Sequence, residues 1–155
     1  MKDLKDTLIL MKSPRMLYCV PSMVWTAISL ATYSGTFVLL MSKSMEIDYR
    51  EWNDNKKLSM ALYAMILLGV GEVVGSNAAG YIQDKFGPLA GLKFAMLSTA
   101  IAYLFIFAAV SIFRFNWLMF GMTFFYGLQD ASLQNFISCL CAFQFDSQLT
   151  PFAVF

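Results

Sequence analysis

Four stretches of this chain, residues 16–41, 58–82, 89–113 and 117–142, are predominantly apolar. Each exceeds the length of about 18 residues that a helix needs to cross a hydrocarbon core about 30 Å thick. Lipid offers no hydrogen bonds to peptide groups, so a single unpaired segment of this kind satisfies them only as a helix. The expected fold is therefore all-α: a polytopic transmembrane bundle of about four spans, forming one domain over residues 1–155, with a polar loop at 42–57.

Composition points the same way. The chain is 59% hydrophobic and 14% charged, against roughly a quarter charged in soluble domains. With a formal net charge of +1 it has no basic field to gather nucleic acid. Histidine is absent, which removes the commonest general base and metal ligand at neutral pH. No nucleophile–base pair, metal-ligand cluster or phosphate-cradling loop stands out. The expectation is a protein that is not an enzyme, with no catalytic residue, no metal and no cofactor. Cys19, Cys139 and Cys141 lie in apolar runs and read as plain thiols.

Residues 1–15 carry Lys2, Lys5, Lys12 and Arg15. The apolar run after them is longer than a signal core and lacks a small-x-small exit, so a retained helix is expected. Pro21 falls near the start of the first span, where a missing amide is best tolerated. The second span is dense in small residues. Gly71 with Gly75, and Ser76 with Gly80, form small-xxx-small pairs that let another backbone approach closely. Only Arg114, Phe115 and Asn116 separate the third span from the fourth, which demands a tight antiparallel hairpin. The ending, with polar residues up to Thr150 followed by Pro151, Phe152, Ala153, Val154 and Phe155, resembles the start of a further span. The chain reads as a piece of a longer one.

Two carboxyl groups fall inside spans. Glu72 is near the middle of the second, where an ionised carboxylate costs at least ~2.5 kcal/mol without a partner or water. Asp130 is midway along the fourth, with Gln134 one turn on and so on the same face. Gln129 and Asn135 widen this polar stripe. Glu72, Asp130, Gln134 and Asn135 are the candidate transport or polar-pathway residues; helix fastening is the plainer alternative. Lys93 is the one basic residue within these spans, near an end.

Between the second and third spans runs Gly80, Tyr81, Ile82, Gln83, Asp84, Lys85, Phe86, Gly87, Pro88. Gly80, Asp84, Lys85 and Gly87 resemble the glycine-x-x-x-aspartate-basic-x-glycine signature of the major facilitator superfamily, without the basic residue that usually follows. The fourth-span run GLQDASLQN, residues 127–135, and Tyr33, Ser34, Gly35 and Phe37 in the first span are similar to the UNC-ninety-three-like branch, with Gln129 replacing a glycine. This resemblance implies that the four spans correspond to helices seven to ten of a twelve-helix protein, with two more to follow.

Positive charges alone leave the orientation a tie, with Lys2, Lys5, Lys12, Arg15 and Lys85 on one side and Lys43, Arg50, Lys56, Lys57 and Arg114 on the other. The resemblance implies a cytoplasmic N-terminus and a cytoplasmic Asp84 turn. It further implies a multi-pass membrane protein, transporter-like or ion-channel-regulator-like, whose partners are the lipid bilayer and further membrane helices. The alternative is a non-transporting structural subunit that docks through its glycine-rich helix onto a larger membrane complex.

Overall fold

The computed structural model describes residues 13–144, apart from the side chains of Arg15, Ser34, Phe143 and Gln144. The basic residues Lys2, Lys5 and Lys12, and the polar-then-apolar ending at 146–155, lie outside the described residues. Among those described, every element is helical: α1 (Pro14–Thr32), a π-helical turn (Tyr33–Phe37), α2 (Val38–Asp48), α3 (Asp54–Phe86), α4 (Pro88–Ile112) and α5 (Trp117–Gln144). The first three run on without a break, so the architecture is an all-α bundle of four rods.

Local chemistry sets the ends. Ser13 caps α1, its Oγ accepting from the Met16 amide at 3.3 Å, with Pro14 in the first turn where no amide donor is needed. Pro21 is thereby inside the helix rather than at its start. At Gly87 φ is +85°, a left-handed conformation that costs glycine nothing, and this one residue joins α3 to Pro88 at the head of α4. Asn116 opens α5, its Oδ1 accepting from the Leu118 amide at 3.0 Å.

The polar stretch 42–57 is not the loop its charges imply. The first rod stays helical to Asp48 and α3 begins at Asp54, so only 49–53 are non-helical. A helix satisfies its own peptide groups in water as well as in lipid, so it need not stop where the apolar residues do. Lys43, Met45 and Glu46 are good helix formers, and Lys43 pairs with Glu46 at 3.3 Å one turn on.

Three rods, Met16–Asp48, Asp54–Phe86 and Pro88–Ile112, are long and apolar enough to cross a membrane. Leu17, Tyr18, Leu62, Ile66, Val73, Leu97, Leu104 and Phe107 are among their exposed side chains, as expected of helices that face lipid. The chain is a multi-pass membrane protein. The fourth helix, α5, has the length but not the apolarity, because Gln129, Asp130, Gln134 and Asn135 interrupt it. Its place explains this: α5 is the central helix, packed most extensively on α3, then on α4, and also on α1.

Glycine makes the central contact. A Cβ on Gly71 would overlap the Phe124 carbonyl, one on Gly75 the Leu128 carbonyl, and one on Gly127 the Leu68 carbonyl. The two backbones therefore meet through reciprocal glycines, the arrangement that yields dispersion contact where lipid gives no hydrophobic drive. Ser76 is exposed and contributes only its backbone. On α4 a stripe of small residues, Gly91, Ala95, Ser98, Ala102 and Ala109, is buried.

Gly127→Leu should cost at least ~3 kcal/mol, the upper end of overpacking losses, because backbone cannot move aside as a side chain can. Gly69→Ala, where nothing lies within 4 Å of the added methyl, should stay within about 0.5 kcal/mol. Thermal unfolding of the detergent-purified chain, followed by size-exclusion retention, checks both.

Candidate functional site

Because the glycine crossing draws α5 into the middle of the bundle, its polar residues point into protein. Gln129 is 0% and Asp130 2% exposed. Gln129 Nε2 donates to Ser29 Oγ on α1 at 3.0 Å. Ser29 Oγ donates to the Tyr126 hydroxyl at 2.9 Å, which in turn donates to the Ser29 carbonyl at 2.9 Å. On the α4 side the Thr99 hydroxyl is shared between Ala95 O at 2.7 Å and Gln129 Oε1 at 3.2 Å. This chain of hydrogen bonds ties three helices together through one glutamine. The Tyr126 ring is held from the π-turn, by Phe37 edge-on at 4.7 Å and Tyr33 at 6.4 Å.

Asp130 is only half accounted for. Its Oδ2 accepts from Gln134 Nε2 at 2.7 Å, so the face shared by 130 and 134 is real in three dimensions. Its Oδ1 is buried and makes no hydrogen bond of good geometry among the described residues, although the Ser29 hydroxyl, which donates to Tyr126, lies within reach of the carboxyl. Glu72 is half-buried on α3 beside the Gly127 crossing, one turn of helix from the contact that Gly127 makes with Leu68. Asn135 is brought to α3 instead, its Nδ2 donating to the Ser76 carbonyl at 3.0 Å. The four candidates thus divide: Asp130 and Gln134 are bonded to each other, Glu72 lies at the same crossing on α3, and Asn135 bonds α5 to α3.

A buried carboxyl with one oxygen bonded only to Gln134, the other near a single hydroxyl, no basic partner among the described residues and a second carboxyl at the same crossing can hold a proton or a cation. The groups that seal it, Ser29, Thr99 and Tyr126, are not marked in the sequence: hydroxyls in apolar runs are ordinary, and only the fold shows which of them converge.

The signature turn is arranged differently from its sequence reading. Gly80, Asp84 and Lys85 lie within the last two turns of α3, and Gly87 alone forms the turn. Gly80 faces the Asn135 amide with room for a methyl group, so this contact does not require glycine. Asp84 is exposed and makes no hydrogen bond to a helix terminus among the described residues. Lys85 donates to the Tyr81 hydroxyl at 3.0 Å and lies 5.4 Å and 5.5 Å from the Tyr81 and Phe86 ring centres. The buried residue of this stretch is Gln83, in the last turn of α3, laid over Gly91 with its Nε2 unpartnered among the described residues.

Comparison with protein-family models, with curated proteins and with solved structures returned no match.

Removing one member of the cluster should loosen the bundle without unfolding it. Interhelical hydrogen bonds in bilayers contribute about 0.6 kcal/mol on average and up to about 1.7 kcal/mol. A double-mutant cycle of Ser29→Ala and Gln129→Leu, read by equilibrium unfolding, should return a coupling in that range, and additive losses would mean the contact contributes nothing.

Proposed function

We propose that this chain is part of a major-facilitator-type membrane protein, transporter-like or ion-channel-regulator-like, in which the Asp130 carboxyl on the central helix is the working group. The observation that carries this reading is Asp130 itself: 2% exposed, bonded to Gln134 through one oxygen, with no basic partner among the described residues and only the Ser29 hydroxyl near the rest of the carboxyl. A carboxyl gains nothing for stability from such a place. An intramembrane acid retained there is by default a pathway or coupling group. Supporting it, Glu72 on α3 gives a second carboxyl at the same crossing. In such a protein two halves rock about a central site.

One observation favours a non-transporting membrane subunit. The polar groups of α5 are closed in by protein, with Gln129 at 0% and Tyr126 at 0% exposure, as befits a cluster that only fastens helices. Docking through the glycines of α3 is weakened, because Gly71 and Gly75 are already filled by α5.

Asp130→Asn separates the two. It keeps shape and the Gln134 contact while removing the ionisable group. In proteoliposomes holding the full native protein, proton or cation flux should fall at least about tenfold, the result of removing an essential titrating group, with the thermal midpoint unchanged. Unchanged flux would sink the pathway role. Wild-type protein that assembles but carries no flux would support the subunit reading.

A further inference from the structure

Away from the polar cluster, α3 and α5 part to leave an apolar groove of about 680 Å³. Met60, Tyr63 and Leu67 form its α3 wall, and Phe120, Gly121 and Phe124 its α5 wall. Gly121 lines the groove and on its other side lets the Phe105 ring of α4 approach α5 closely. Volumes of about 300–1,000 Å³ suit a small molecule or part of a lipid.

The mouth is what identifies the occupant. The α3 wall is one helix stripe, and one turn before Met60 the same stripe carries Lys56. Its ammonium is 4.1 Å from the Trp52 ring centre. Trp52 stacks on Tyr49 at 4.0 Å, and Tyr49 meets Phe115, which lines the groove, edge-on at 6.2 Å. Next to Phe115 is Arg114, its guanidinium 3.8 Å from Asp48. Trp117, also lining the groove, is 89% exposed. Cations with indoles mark the headgroup level of a bilayer, and the apolar floor below them is at acyl depth. Lys56 has no carboxylate partner among the described residues, and the anion that every phospholipid bilayer supplies at this depth is a phosphate.

We propose that this groove is a phospholipid site, with one acyl chain between α3 and α5 and the headgroup phosphate on Lys56, flanked by Arg114. It stands independently of the role given to Asp130.

Native mass spectrometry of the full native protein in detergent, after exposure to phosphatidylglycerol or to diacylglycerol with the same chains, tests this. The wild type should retain phosphatidylglycerol more than diacylglycerol. Lys56→Gln, at an exposed position that leaves the fold intact, should lower phosphatidylglycerol retention about fivefold, as expected for one lysine at a lipid surface, and leave diacylglycerol unaffected. Leu67→Trp, which fills the groove, should lower both. Equal retention of the two lipids by the wild type, or no change in Lys56→Gln, would overturn the proposal. So would a photoreactive group at Tyr63 that captures protein rather than lipid.

Discussion

The backbone-to-backbone crossing of α3 and α5 is the contact on which the rest depends. Gly71 and Gly75 from one side and Gly127 from the other let the two helices touch with no side chain between them. In lipid, where apolar side chains gain little by leaving the solvent, close packing of this kind is a main attraction between helices. The crossing also sets register. It places Glu72 beside Gly127, brings Asn135 to the Ser76 carbonyl, and turns residues 129 and 130 into the bundle. The burial of a carboxyl at mid-helix is thus a consequence of where three glycines lie.

The first rod is joined to this pair at two levels. Midway, Ser29 connects α1 to Tyr126 and Gln129. At one end, Asp48 accepts from the Phe115 amide at 2.9 Å and faces Arg114. That carboxylate secures a turn whose preceding residue, Phe113, holds a left-handed conformation at φ 45°, uncommon for a side chain of its size. Between the two levels lies the π-turn, which aims Phe37 and Tyr33 at the Tyr126 ring. π-turns recur at functional sites, and this one touches the tyrosine that anchors the polar cluster.

Much of the architecture was legible because bilayer physics constrains sequence strongly. Long apolar runs could only be helices, three residues between the third and fourth runs could only be a hairpin, and Gly71 with Gly75 had the spacing of a packing face. The same spacing at Ser76 and Gly80 did not predict a comparable contact, since spacing does not say which face meets a neighbour. For 42–57 the charges allow a polar loop or a short surface helix but not that the two spanning helices themselves run on to Asp48 and from Asp54, because hydropathy reports solvent, not backbone conformation. Asp130 and Gln134 were legible as one face from their separation of four. Their surroundings were not, because Ser29 and Thr99 are 70 residues apart in sequence and share no local pattern with Gln129.

The central claim is that the glycine crossing closes the α5 polar cluster off from water. Cysteine accessibility tests it most directly, in a full chain with Cys19, Cys139 and Cys141 replaced by alanine and single cysteines placed at 129, 134 or, as an open reference, 53. A water-requiring thiol reagent should label position 53 quickly, position 134 slowly and position 129 hardly at all. Labelling at 129 as fast as at 53 would mean that a water-filled cavity reaches the cluster, and the packing described for α3, α4 and α5 would then be wrong.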